Sequence, residues 1–280
     1  MARSPHPVQP AMRAVRFWFG WLAILGVVVG LAISAPLIAP YAPNAAQPLH
    51  QFMPPSAAHW LGTDQLGQDV LSRTIWGARN TLAAALLSTF IAFALALFIG
   101  GVAGMLGGGV DWALMRVVDV LLAFPGLLMA LALVAILKSG LWQAAVAVGI
   151  SLAPAYSRLV RAAVLAARTR PFVEVARTLG GGPLWILRRH VLPNISTELI
   201  AYATVAFAWS MLNMAALDFL GVSGSPSVPT WGRLLGEGRT YLRVAPWIAL
   251  APGVMLTLSV LSVMGVSDAW RRLPGSPPSA

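Results

Sequence analysis

Side chains that carry enzyme or metal chemistry are few and scattered along this sequence. Cysteine is absent, and none of the four histidines belongs to a His-Glu-x-x-His or similar metal-ligand pattern; they stand at positions 6, 50, 59 and 190. No paired carboxylates lie within one segment, and no serine has the partners of a catalytic triad. We therefore predict no catalytic residue, no metal site, no cofactor and no enzyme activity in this chain.

A nucleotide site is also not predicted. A phosphate-binding loop needs glycine, four residues and then Gly-Lys-Ser/Thr, so that backbone amides and the lysine hold the phosphates. The single lysine, Lys138, precedes Ser139 but follows an apolar run without glycine. Any ATP that this protein uses must be hydrolysed by another chain.

Two carboxylates lie within long apolar segments and are the candidates for a gate or a solute pathway. Such charges usually face a bundle interior or water, because burying them in lipid is costly. We place Asp119 near the start of a helix, where the N-terminus favours an anion and Arg116 is three residues earlier, and favour a structural role for it. Asp218 lies near the end of another apolar segment, and both roles stay open for it.

The elements that position these residues must lie in a membrane. Of the 280 residues, 58% are hydrophobic and 10% are charged, and the mean hydropathy is +0.76. Soluble domains carry about 25% charged residues. So few charges cannot cover a soluble protein of this size, and the lipid bilayer is the expected solvent for most of the chain.

Six apolar segments are long enough to cross a bilayer as helices, which predicts an all-α polytopic membrane protein. The fourth is short and contains Pro154, which we expect inside a helix bundle or at a helix end. The first is longer than the core of a signal peptide, so we expect an uncleaved anchor. The segments are Phe17–Ala39, Leu82–Gly104, Val117–Leu137, Leu141–Tyr156, Leu199–Leu220 and Ala245–Val266.

The placement of the basic residues sets the orientation. With six spans and a cytoplasmic N-terminus, 13 of the 19 basic residues fall on the cytoplasmic side, as the positive-inside rule requires. The net charge of +10 is then an orientation signal, and nucleic-acid binding is not predicted. We divide the chain into an anchor helix with a periplasmic loop (1–80), a membrane core (81–270) and a cytoplasmic tail (271–280).

Two outer segments connect the spans. In Pro40–Arg79, apolar residues recur at helical spacing after Gly67, which predicts a short helix on the membrane surface, capped by Asp64 or Thr63, in an otherwise solvated connector. In the second, Gly221–Arg243, Trp231 is a candidate aromatic anchor at the interface, as is Trp247 just beyond it.

The inner segment Ser157–Glu198 predicts a short helix in the cytoplasm. Pro171 suits a helix start, and the run Gly180-Gly181-Gly182-Pro183 ends that helix. A second helical pattern follows and is broken at Pro193. A helix of about two turns is unstable alone in water, so it needs a partner surface.

This inner segment resembles the coupling loop of bacterial ABC importer permeases, which reads Glu-Ala-Ala, three residues, Gly, then nine, Ile or Leu, and a Pro. Here Glu174-Val175-Ala176 and Gly180 keep the spacing, Leu192 and Pro193 follow, and Val175 replaces the middle Ala. Further segments are similar to the C-type subunit of peptide/nickel-type permeases: 59–82, 116–125, 156–161, 219–221, 229–232 and 245–247.

The resemblance implies a permease subunit in the bacterial inner membrane, with both termini cytoplasmic, that moves peptides, related small solutes or nickel. It implies a heterodimer with a homologous permease, two ATP-binding cassette ATPases and a periplasmic substrate-binding protein. The implied ATPase-coupling residues are Phe172, Val173, Glu174, Ala176, Arg177, Leu179 and Gly180.

Two departures concern the sixth span and the outer gate. The C-terminal stretch Gly265–Arg272 lacks the usual Gly-Asp-x-Leu-Arg-Asp pattern, and Asp218 stands where a small polar residue is commoner. The alternative function is a secondary transporter or channel that works alone. It would need an ion relay or an inverted repeat, and neither is visible in the sequence.

Overall fold

The computed structural model describes residues 9–222 and 227–271, and the side chains of 19–222 and 227–268. This part of the chain is helical apart from turns and one isolated bridge between Thr63 and Asp69, which confirms the all-α class. The helices are α1 Gln9–Ile38, α2 Val70–Leu106, α3 Gly108–Leu122, α4 Gly126–Leu137, α5 Leu141–Arg168, α6 Pro171–Thr178, α7 Pro183–Ile186, α8 Leu192–Asn194, α9 Ser196–Phe219, α10 Trp231–Gly238 and α11 Trp247–Arg271. Two 3₁₀ turns (Pro48–His50 and Arg239–Tyr241) and a π-helical turn (Leu187–Val191) complete the described elements.

Five described helices, α1, α2, α5, α9 and α11, are long and apolar enough to cross a bilayer. At the centre of the bundle, α2 and α5 pack together at glycines. A Cβ on Gly149 of α5 would lie 2.7 Å from the Ser88 carbonyl oxygen, and one on Gly100 of α2 would lie 2.3 Å from that of Ser157. Since residue numbers rise together along both helices, α2 and α5 run parallel.

The segment between α2 and α5 must therefore cross the membrane once. It is a bent pair, in which α3 and α4 meet at 91°. The predicted span 117–137 is therefore not one continuous helix, because Pro125 has no N–H to continue α3, and the chain turns there. The expected number of six crossings is kept, with the bent pair as the third.

The remaining spans alternate in direction. The Ser210 hydroxyl of α9 accepts a hydrogen bond from Thr89 of α2 at 3.1 Å, within an antiparallel pair. The Tyr41 N–H, just after α1, donates to the Ser72 hydroxyl at the start of α2, and Trp21 near the other end of α1 packs against Gly265 of α11. The beginning of α1, the end of α11 and α6 consequently share one side of the bundle.

Two element boundaries differ from the sequence prediction. The surface helix expected after Gly67 is instead the buried first turns of α2, and Asp69, not Asp64 or Thr63, caps it by accepting a bond from the Ser72 N–H at 2.8 Å. Helix α5 runs on to Arg168, so the inner segment is shorter than predicted. Pro154 is buried within α5, as expected for a proline inside a bundle.

The division of the chain stays a prediction. Helix α2 runs continuously through the proposed boundary at 80/81, and the tail 271–280 lies outside the described residues except for Arg271. Residues 1–8 and 223–226 also lie outside them.

The first outer segment is a folded cap and not a solvated connector. Arg73 is paired with Asp64 and with Glu237 of α10, at 3.0 Å from the latter, and its side chain is only 3% exposed. Asp64 also accepts bonds from the Leu66 and Gln68 N–H groups at 2.8 and 2.9 Å. This outer cap, residues 40–73 with α10, buries charge because each carboxylate has several donors.

The two tryptophans expected at the membrane interface instead hold the outer cap to the bundle. Trp231 is fully buried and its indole N–H donates to the Thr74 carbonyl at 2.9 Å. The Trp247 indole N–H donates to the Thr63 carbonyl at 3.0 Å. The polar ends of both rings are therefore satisfied by backbone and not by the membrane interface.

We expect Arg73→Ala to destabilise the protein strongly, because it leaves Asp64 buried without its counter-charge. Removing one partner of a buried ion pair costs about 3–5 kcal/mol. Thermal unfolding of the detergent-purified chain measures this. Arg243→Ala, at an exposed arginine of the same outer side, is the matched control and should unfold as the wild type does. Equal unfolding temperatures for the two variants would contradict the role given to Arg73.

Candidate coupling surface

The seven residues predicted for ATPase coupling lie on α6 and its C-terminal turn. The helix begins at Pro171, as predicted, where the missing N–H of proline costs no helical hydrogen bond. Glu174 lies in the first turn and Arg177 in the last, which is the arrangement that opposes the helix dipole. Both side chains are exposed.

Two glycines end α6 for different reasons. Gly180 has a φ of +87° and donates to the Arg177 carbonyl, while Gly181 donates to the Ala176 carbonyl, both at 3.0 Å. This is a Schellman motif, in which a residue with a side chain is strained at the position of Gly180. A Cβ on Gly181 would lie 2.7 Å from the Ala176 oxygen, so the next residue must be small as well.

One face of α6 anchors it to the bundle. Val173 and Ala176 are buried in a cluster with Ile186, Leu187 and the end of α5, including Ala167. Of the seven predicted residues, these two are buried in the protein's own core, and Phe172 packs against the same cluster. The anchor supplies the stability that so short a helix lacks in water.

The side of α6 that adjoins this buried face is apolar and is left uncovered by the described residues. Val175 is 57% exposed and Leu179 is 83% exposed, although both lie outside the expected spans. Together with the half-buried Phe172 and with Trp185 and His190, they line an open groove of about 760 Å³. We call this groove the coupling groove.

Part of the coupling groove was missed from the sequence. Trp185 and His190 follow the glycine turn, and their rings meet edge to face at 5.0 Å. Trp185 lies on α7, and His190 lies in the π-helical turn Leu187–Val191, whose last bond runs from the Leu192 N–H to the Leu187 carbonyl. The prediction that Pro193 breaks this helix is wrong. The helix continues through Pro193, which follows a turn whose last hydrogen bond spans five residues. A lone proline was the only signal of it.

The two candidate gate residues lie at opposite ends of the bundle. Asp119 is in the last turn of α3 and pairs with Arg158 of α5 at 2.6 Å. The expected position at a helix N-terminus is wrong, because α3 starts earlier, at Gly108. Arg116 does not pair with Asp119 as expected from its spacing; it lies over the Trp112 ring at 5.6 Å.

Asp218 is buried near the other end of α9, beside α10. The Thr230 hydroxyl bonds to it, and the charge of Arg233 lies close by. Thr230 also caps α10 by accepting a bond from the Arg233 N–H at 3.3 Å. The carboxylate thus contacts the start of α10, which places it at the junction of the bundle and the outer cap.

Comparison with known proteins agrees with this arrangement. Residues 96–273, more than half of the chain, match the family described as binding-protein-dependent transport system inner membrane component. The glutathione transport system permease protein GsiD of Pectobacterium atrosepticum is 39% identical over 78% of this chain and 72% of its own length. The di/tripeptide transport system permease protein DppC of Pseudomonas aeruginosa is 39% identical over 90% and 85%.

A solved structure gives the same fold. The MetNI methionine ABC transporter, in an inward-facing conformation, contains a chain that matches with a TM-score of 0.60 at 22% identity, over 71% of this chain and 93% of that one. At this identity the likeness concerns the fold alone. The family match and the two relatives go further: the chain belongs to the binding-protein-dependent transport system inner membrane components, and is a multi-pass permease subunit of an ABC importer.

Proposed function

We propose that this permease imports peptides or glutathione-like solutes, and that the coupling groove beside α6 is where it takes up the movement of an ATPase. The observation that carries the second part is the exposure of Val175 and Leu179 on a helix that is firmly anchored by its other face. An apolar surface outside the membrane that is exposed in the single chain marks a protein contact. The relatives' names support the first part, and neither of them names nickel.

The orientation and the partners follow from the same proposal. The α6 side would be cytoplasmic, with both termini, because the arginines of the inner segment lie there. A second, homologous permease would complete the solute path, two ATPases would lie beneath, and a periplasmic binding protein would dock on the outer cap. None of the roles given to individual residues of α6 depends on which solute is carried.

The short connection between α5 and α6 gives the movement a route into the membrane. Only Thr169 and Arg170 separate the two helices, and Val173 shares one buried cluster with Ala163 and Val164 of α5. A pull on α6 would therefore move the end of α5 with it. Closure of the ATPases on ATP would then favour one of two bundle conformations, because ATP-bound ATPases hold α6 differently.

A transporter or channel that works alone is the second candidate function. It has no use for an exposed apolar groove on a short anchored helix outside the membrane. Co-purification of an ATPase with the full chain separates the two functions.

We expect Gly180→Ala to lower ATP-driven uptake at least about fivefold, since a side chain at a φ of +87° is strained by about 1–2 kcal/mol and loosens the end of α6. Uptake by the reconstituted complex in proteoliposomes measures this. Gly182→Ala is the matched control, because that glycine has a φ of −70° and open space where a Cβ would lie. Equal uptake by the two variants would contradict the role given to the Gly180 turn.

Because the chain has no native cysteine, a single introduced cysteine is the only position of this subunit that a thiol reagent can modify. We expect Val175→Cys to form cross-links with the ATPase subunit in membranes, since this position lies on the exposed edge of the coupling groove. Val173→Cys should form none, because it is buried against the bundle. Gel analysis after a bifunctional thiol-to-amine reagent reads out both. A complex that cross-links through neither position, or through Val173→Cys alone, contradicts the proposed coupling surface.

A further inference from the structure

The half of α5 nearest α6 carries an ion pair that the coupling surface does not include. Arg161 donates to Asp111 of α3 through two parallel bonds, Nε to Oδ1 at 2.5 Å and Nη2 to Oδ2 at 2.6 Å. We propose that Asp111 and Arg161 are positioning residues that transmit the movement of α6 to the bent pair α3–α4. This inference rests on the proposed coupling function of α6.

The pair has the geometry of a strong link. Two-point contact between guanidinium and carboxylate fixes direction as well as distance. Its side chains are only 33% and 17% exposed, whereas the single contact between Arg158 and Asp119 joins groups that are 55% and 45% exposed. Exposed single contacts hold little, because water screens the charges. Asp111 also lies in the first turn of α3, where the helix dipole favours an anion.

Little else fastens α3 to the bundle. Val118 is the one buried residue of α3, although the helix has 15 residues. Helix α4, by contrast, buries Ala130 and Val134 against α5 and α9. The Asp111–Arg161 pair is thus the stronger of the two ion pairs that join α3 to α5.

The chain turns at both ends of α3. Gly107 before the helix and Gly108 at its start have φ values of +69° and +55°, which few other residues tolerate, and the 91° bend at Pro125 follows it. Arg168, three residues before α6, donates to the Gly104 carbonyl at 3.3 Å next to this glycine pair. Helix α3 is thus a short helix between two turns of the chain, held to α5 by the ion pair, and a movement of α5 would carry α3 with it.

The end of α5 is the part that α6 can move. Helix α5 has 28 residues, about 42 Å, which exceeds the about 30 Å of the hydrocarbon layer. The excess lies at the α6 end and includes Arg161. A displacement of α6 would therefore pass through Thr169 and Arg170 to the end of α5, along that helix to Arg161, then to α3 through the ion pair, and finally to α4 inside the membrane.

The test measures the movement directly in the assembled transporter. Spin labels on Phe124→Cys, at the exposed bend, and Trp142→Cys, at the far end of α5, report the position of α3–α4. Labels on Thr178→Cys and Trp142→Cys report that of α6. ATP with vanadate should change both distances in the wild-type background. Asp111→Asn should abolish the change at Phe124, keep the change at Thr178, and lower tri-alanine uptake per ATP hydrolysed at least tenfold.

Two further variants separate positioning from a purely structural role. Asp111→Glu keeps the charge and should restore the distance change and at least a third of the uptake ratio. Arg116→Gln, the matched control at an exposed residue of the same helix, should stay within twofold of the wild type. If Asp111→Asn hinders assembly, Arg161→Lys, which keeps the charge and loses the second bond, should assemble and still lower the change at Phe124.

Three outcomes would overturn the inference. They are a Phe124 distance that ATP does not change in the wild-type background, an unchanged response in Asp111→Asn, and loss of the Thr178 and Phe124 changes together. A failure of the proposed function is seen separately, as absent cross-linking from Val175→Cys in an otherwise wild-type chain.

Discussion

The close parallel packing of α2 on α5 is the contact on which the rest of this structure depends. In lipid, apolar side chains gain nothing by leaving the solvent, so helices associate through close van der Waals contact, which small residues permit. Gly100, Gly104 and Gly149 let the two backbones meet, and a Cβ on any of them would lie within 3.0 Å of an atom of the other helix. Because these helices run parallel, the chain between them must cross the membrane, and the bent pair α3–α4 makes that crossing.

The two ends of the bundle are stabilised in opposite ways. The outer end buries charge: Asp64, Arg73 and Glu237 form a paired network under a folded segment, with Trp231 and Trp247 bonded to backbone carbonyls. The inner end exposes apolar surface at Val175 and Leu179 and leaves it uncovered. An uncovered apolar surface at the inner end is what the proposed contact between α6 and an ATPase requires.

The sequence predicted what local pattern controls. Hydropathy located the six crossings, and Pro171 with Gly180 bracketed α6, since a proline start and a left-handed glycine stop act within a few residues. Interactions between distant segments were missed. The first turns of α2 read as a surface helix because the partner of Arg73 on α10 is far along the chain. Arg161 and Asp111 are 50 residues apart, and their pairing follows only from how α3 lies across α5.

The wrong predictions for Arg73, Asp64 and Asp119 share one physical reason. In a soluble protein, charge in a sequence marks solvent, and that rule placed Arg73, Asp64 and Asp119 on exposed or dipole-stabilised sites. At the edge of a membrane bundle, backbone and side-chain donors can replace water around a charge, so an arginine can join elements instead of facing solvent. The two arginines with bidentate or multiple carboxylate contacts, Arg73 and Arg161, therefore join separate elements of this fold: Arg73 holds the outer cap to α2, and Arg161 holds α3 to α5, the contact through which we propose that movement of α6 is transmitted.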